Sequence, residues 1–335
     1  MSKKIFAMLV VLLAIIISGC GDKQAIEKTV AISFANSTSS WQRNGNIMKQ
    51  ALEEDGFKVD IQYADTVDQQ IEHLKKFIED NPKCIVIGAI DSKALAETLE
   101  PAKERNIPII AFDRIIFDTD AISYYASYDN EAIGDAMAEY FEAVLNLRNG
   151  GGPYNIEFFA GGPADNNAHI FFKHSMAILE PYLKTGQLVC QSKQTDFNSV
   201  AVADWNSQNA KPRIKQLLDT YYSSGQQLQV VLSPNDDIAN VILEEFKSRG
   251  LPLPIISGLD ADPDAITRIK NGQQTFTVGK DPVVLTSKCV RMIKSVVEGT
   301  QPTINDVKTY DNGKKTLPSY LCTPYIIDKT NVNDQ

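Results

Sequence analysis

The chain has 335 residues, 43% of them apolar and 22% charged, with a formal net charge of −9. At this size one ordinary core is exceeded and two domains are expected. An acidic chain without a basic run is a poor binder of nucleic acid or anionic lipid headgroups, so neither is expected as a partner.

The N-terminus carries an address. Lys3 and Lys4 precede a purely apolar run from Ile5 to Ile17, which is followed by Ser18, Gly19 and Cys20. This is the three-part layout of a secretory signal peptide. The apolar run spans about a dozen residues, short of the roughly 20 that a bilayer-crossing helix needs. Ile17-Ser18-Gly19-Cys20 resembles a bacterial lipobox, which implies cleavage before Cys20 and acylation of that cysteine. Residues 1–19 are therefore expected to be a signal peptide and 20–28 a lipidated tether. The remainder is expected in the periplasm or at the cell surface, touching a bacterial membrane only through the lipid. An uncleaved anchor helix is the other reading, and it leads to the same compartment. Of the other cysteines, Cys84, Cys190, Cys289 and Cys322 are far apart and form no C-x-x-C pair. A zinc site has no support, and most are read as buried free thiols.

From residue 29 short β-rich runs alternate with helical patterns. The first runs are 29–35, 58–64, 84–90, 108–112 and 122–127. Between them lie amphipathic stretches such as 69–78, with Ile71, Leu74, Phe77 and Ile78 at helical spacing. After the break Asn149-Gly150-Gly151-Gly152-Pro153 the pattern restarts, with runs at 154–160, 187–192, 228–233, 254–258 and 275–279. A long helix is predicted over 283–297, then a tail with the turn signal Asp311-Asn312-Gly313. Alternation of this kind predicts parallel sheets built from βαβ units. The expected fold is α/β, two doubly wound lobes joined by a hinge. Lobe one is drawn as 29–129 plus 281–310, lobe two as 130–280 plus 311–335. Open parallel sheets bind ligands at the carboxyl ends of their strands, so two facing lobes predict a cleft.

The residues at those strand ends are polar in a particular way. They include Asn36 to Trp41, Asp91, Asp113, Arg114, Asp129, Asn130, Asp165, Asn166, Asn167, Asn235, Asp236, Asp237, Asp260 and Lys280, with Trp205 nearby. A sugar hydroxyl both donates and accepts, and this set offers both roles. Charged partners make the stronger bonds, and an aromatic ring suits the apolar face of a pyranose. An anionic ligand would call for more Arg and Lys. Asp and Asn are also common helix caps, and Asp91, Asn166 and Asp237 are assigned that role. Trp41 and Trp205 fit core packing equally well.

Other chemistry finds less support. A glycosidase needs paired carboxylates across a glycosidic bond and stands as the enzyme alternative. There is no G-x-S-x-G elbow, and Gly313-Lys314 lacks the earlier glycine of a phosphate loop. Asp260, Asp262 and Asp264 lack the glycine and final Glu of a calcium loop. His73, His169 and His174 lack ligand spacing. No cofactor or metal is expected.

Several long motifs then carry a resemblance: 107–114 (IPIIAFDR), 123–130 (SYYASYDN), 158–168 (FFAGGPADNNA), 232–237 (LSPNDD), 256–262 (ISGLDAD), 277–281 (TVGKD) and 312–324 (NGKKTLPSYLCTP). In this order they resemble the periplasmic sugar-binding proteins of the ribose/xylose type, the type I periplasmic binding proteins, over about 30–327. The resemblance implies a non-enzymatic, monomeric receptor that binds a monosaccharide and delivers it to an ABC transporter permease. A sensory role toward a chemoreceptor or sensor kinase, for a sugar or an autoinducer, is the alternative. It implies sugar contacts from Asp113, Arg114, Asp165, Asn167, Asn235, Asp260 and Lys280, and aromatic positions at Trp41 and Trp205. One departure is evident. The family usually has Arg directly before the first tryptophan, where this chain has Ser40; Arg43 lies nearby in a different register.

Overall fold

A computed structural model describes residues 28–36, 39–223 and 225–334. The expected leader 1–19, Cys20 and the tether up to residue 27 lie outside the described residues.

The chain order is β1 (Thr29–Ala35), α1 (Ser39–Glu54), β2 (Lys58–Ala64), α2 (Val67–Asp80), β3 (Cys84–Gly88), α3 (Ala96–Glu104), β4 (Ile109–Phe112), β5 (Ile122–Tyr128) and α4 (Asn130–Val144). The second half runs β6 (Tyr154–Phe158), α5 (Asn166–Thr185), β7 (Leu188–Val189), α6 (Phe197–Val200), α7 (Ser207–Tyr221), β8 (Val230–Leu232), α8 (Asp236–Ser248), β9 (Ile255–Ile256), α9 (Pro263–Lys270) and β10 (Phe276–Gly279). It ends with α10 (Pro282–Val297), β11 (Ser319–Cys322) and β12 (Tyr325–Asp328).

Continuous apolar strands such as Cys84–Gly88, buried along their whole length, belong inside a sheet covered on both faces. The first sheet has six strands in the order β11-β5-β4-β3-β1-β2, all paired in parallel. Helix α2 covers one face with Leu74, Phe77 and Ile78, which pack with Ile85, Ile87 and Leu99. The second sheet runs β7-β6-β8-β9, also parallel. A parallel bridge from Leu259 to Val278 brings β10 beside it. Both lobes therefore share one winding, reversing at their first strand. At that reversal the helices depart to opposite faces, and the strand ends leave a crevice.

The tail differs from the expected division. The span 311–335 was assigned to lobe two, yet Ser319–Cys322 pairs in parallel with β5 at the edge of the first sheet. Asn312 Nδ2 donates to the carbonyls of Ile116 and Thr119 at 3.1 and 2.7 Å. β12 and the turn after it join the second lobe: β12 pairs antiparallel to β10, and Val332 packs with Ile269 and Ile327. An open edge leaves unpaired N–H and C=O groups, and the tail covers one edge in each lobe. Pattern along the chain reveals a strand but not which edge lacks a partner.

The chain crosses between lobes after β5, after β10 and between β11 and β12. The crossings are tied to one another. Asp129 N donates to Cys322 O at 2.9 Å, and the Tyr128 hydroxyl donates to the Asp281 carbonyl. Cys84, Cys289 and Cys322 are buried free thiols and Cys190 is half-buried. Among the described residues no helix is long and apolar enough to cross a membrane.

Candidate functional site between the lobes

Strand β4 delivers Asp113 and Arg114 to the cleft. Asp113 adopts a left-handed backbone, φ 61°, which Asp tolerates better than most residues. Its carbonyl is held by three donors: Tyr125 Oη at 2.7 Å, Ser127 Oγ at 2.9 Å and Asn167 Nδ2 at 2.9 Å. Burial raises its carboxyl above the usual range, and Asp165 and Asp260 add to this against the opposing pull of Lys280 and Arg114. Arg114 is anchored by its own lobe, with Nη1 donating to the Ala89 and Ile90 carbonyls at 3.0 and 3.2 Å. Its Nε lies 3.0 Å from Asp165 Oδ2 across the cleft, at ion-pair distance but not aligned as a hydrogen bond. The guanidinium also sits 5.5 Å from the Trp41 ring centre, a cation–π distance.

The opposite wall is built from helix starts. Asp165 caps α5 by accepting from Asn167 N at 2.9 Å, and its Oδ2 accepts from Trp205 Nε1 at 3.1 Å. Asn167 Oδ1 accepts from Asn130 Nδ2 at 3.0 Å. Asn235 caps α8 by accepting from Ile238 N at 2.9 Å. Asp260, φ 95°, stands 2.9 Å from Lys280 Nζ. Burial alone would lower the Lys280 ammonium, but Asp260, Asp113 and Asp165 outweigh it and hold the group charged.

Each tryptophan rests on a glycine of its own lobe. A Cβ at Gly88 would come within 2.4 Å of the Trp41 ring, and one at Gly161 within 2.3 Å of the Trp205 ring. Only a bare backbone lets either ring lie so close. Trp41 is buried and packs on Phe34, ring centres 5.1 Å apart. Trp205 is half-buried.

All nine expected residues, Trp41, Asp113, Arg114, Asp165, Asn167, Trp205, Asn235, Asp260 and Lys280, line one cavity of about 470 Å³. The caps were assigned one residue late at α5 and two residues late at α8. Asp165 and Asn235 cap their helices, whereas Asn166 and Asp237 lie inside them, and Asp237 lines the cavity. The cap is the last extended residue, so a run of polar residues hides it. Asp91 accepts from Lys93 N at 2.7 Å in a loop well before α3. Arg43, Tyr128, Asp204 and Asp262 also line the cavity but were not among the expected sugar contacts. The signal for Arg43 was its position one turn beyond Ser40, on the same face of α1.

Residues 30–301 match the family described as periplasmic binding protein domain. The chain belongs to the periplasmic binding protein family. Among its relatives, this family member is 37% identical to the multiple sugar-binding periplasmic protein SbpA of Azospirillum brasilense, over 90% of this chain and 86% of that one. It is 36% identical to the multiple sugar-binding periplasmic receptor ChvE of Rhizobium radiobacter, over 90% and 87%. A crystal structure of an ABC transporter solute binding protein from Clostridium phytofermentans, with bound β-D-glucose, superposes with a TM-score of 0.88 at 35% identity. That match covers 92% of this chain and 96% of the other. The fold is that of a type I periplasmic binding protein.

Proposed function

We propose that this protein is an extracytoplasmic lipoprotein receptor that binds a monosaccharide, as a pyranose, between its lobes and hands it to an ABC transporter permease. The observation that carries this reading is the cleft itself. Charged donors and acceptors from both lobes surround a cavity of about 470 Å³ that two indole rings also line. Each buried sugar hydroxyl needs a partner, since an unsatisfied one costs about 1–3 kcal/mol. Asp113, Asp165, Asn235 and Asp260 accept, Arg114, Lys280 and Asn167 donate, and Trp41 and Trp205 cover the apolar ring faces. The printed names of the relatives and the glucose in the related structure support the same ligand class.

Closure of the lobes buries the sugar and creates the surface that the permease reads. The protein returns its ligand unchanged and acts as a monomer. Acylation at Cys20 keeps it at the membrane, where more than one acyl chain is needed for stable anchoring.

The test is calorimetry on residues 21–335 with D-glucose, D-galactose, D-xylose and L-arabinose, followed by NMR of the recovered sugar. At least one should bind with a Kd of about 1 μM or tighter and be recovered intact. Absence of binding by all four, or conversion of the sugar, would overturn the reading.

A further inference from the structure

Cation and carboxylate meet at the cavity wall in three ion pairs among the described residues, and two of them are closed. Lys280 and Asp260 are 2.9 Å apart, and Arg114 and Asp165 are 3.0 Å apart. The third pair is open. Arg43 Nη2, on α1 of the first lobe, stands 3.7 Å from Asp262 Oδ1, at the start of α9 in the second. That exceeds hydrogen-bond length. Both side chains keep solvent access, 35% and 24%, and both line the cavity. Ser40 lies one turn before Arg43 on the same wall. A serine side chain is short, and Arg43 is drawn toward Asp262, so this corner has room beside a donor and an acceptor.

We infer that Arg43 and Asp262, with the space at Ser40, form the subsite for the exocyclic hydroxymethyl group of a hexopyranose. This deepens the monosaccharide-receptor reading and rests on it. The hydroxyl accepts from the guanidinium and donates to the carboxylate, bridging a pair that stands 3.7 Å apart. Its carbon occupies the room left by Ser40. Because the two charges belong to different lobes, the hydroxyl becomes part of the contact that holds them together. A pentopyranose has no group to place there and leaves the pair unbridged. A site built to hydrogen-bond a hydroxyl discriminates strongly against an analogue lacking it.

The decisive probes are two series that each change one feature of the sugar. D-Glucose, 6-deoxy-D-glucose and D-xylose lose first the hydroxyl and then the carbon. D-Galactose, D-fucose and L-arabinose do the same for the epimer. Calorimetry and stopped-flow on residues 21–335 should give, in at least one series, the full hexose bound about tenfold or more tighter than both relatives, mainly through slower release. Arg43→Ala and Asp262→Ala should each bring that ratio close to one while the affinity for the pentose changes little. Ser40→Arg should turn the preference toward the pentose by filling the corner, and circular dichroism checks that each variant is folded. If all three sugars of each series bind the native protein within about threefold, or the ratio survives in folded Arg43→Ala and Asp262→Ala, the inference is overturned and the receptor reading stands. If no sugar of either series binds, both fall together.

Discussion

The two walls of the cleft solve the same problem differently. The first lobe presents Arg114 on a platform of backbone carbonyls and Asp113 on a left-handed backbone held by three donors. Neither side chain caps a helix. The second lobe presents Asp165 and Asn235, whose oxygens already cap α5 and α8. One wall therefore holds residues whose side chains cap no helix, and the other holds residues shared with the helix starts. The two ion pairs that bridge the lobes share one polarity. The cations Arg43 and Arg114 come from the first lobe, and the carboxylates opposite them, Asp262 and Asp165, from the second. Arg114 and Asp165 are only 13% and 6% exposed, so their attraction is weakly screened and favours closure, whereas Arg43 and Asp262 keep more solvent and add little by themselves.

The largest expected effect breaks this arrangement at its centre. Arg114→Ala leaves Asp165, 6% exposed, without its cation and should cost about 2–5 kcal/mol of sugar affinity, most of it from the stranded carboxylate. Calorimetry that finds less than a tenfold loss would mean that the lobes do not depend on this pair. Arg114→Lys should fall nearly as far, because an ammonium cannot serve two carbonyls and a carboxylate in one plane.

The contrast between the walls predicts a second, smaller pair of effects. Asp113→Asn keeps a residue that tolerates the left-handed backbone, so thermal stability should hold while affinity drops by about 1–3 kcal/mol. Asn235→Ala removes a helix cap as well as a wall residue. It should lower stability by about 1 kcal/mol in addition to weakening binding. Denaturant titrations in which the two variants lose equal stability would erase the distinction between the walls.

The smallest expected effect is on pH dependence, and it belongs to the acidic wall. Burial first, then Asp260 and Asp237, push the Asp262 carboxyl up to about 6, against the pull of Arg43 and Arg268. In the unfolded chain the same group titrates near about 3.9. Between those values the native protein holds the extra proton, so this group's contribution makes stability fall as pH rises from about 4 to about 6 and then level off. Asp262→Asn should flatten that part of the curve. A slope unchanged in Asp262→Asn would show that Asp262 does not titrate in this window.

Much of this site was legible because parallel sheets deliver the ends of their strands to one side. Once 108–112 and 275–279 read as buried strands, Asp113, Arg114 and Lys280 were placed at the cleft edge. Caps were less legible, since Asp165-Asn166-Asn167 and Asn235-Asp236-Asp237 offer three adjacent candidates each and only the backbone angles choose among them. Arg43 was noted only as lying in a different register from the family arginine, because register along a sequence is linear, whereas a helix places residues three apart on one face.

The sequence by itself determined the alternation of strand and helix, the two similar lobes and the polar character of the strand ends. These follow from apolar periodicity and from side-chain chemistry, which are local properties. The tertiary structure alone decided which sheet edge takes Ser319–Cys322, which carboxylate faces which cation, and why Gly88 and Gly161 are needed beneath Trp41 and Trp205. Each depends on contacts between segments far apart in the chain. Edge pairing, ion pairing and ring packing are settled by which groups remain unpartnered once the lobes have formed, and no local pattern records that.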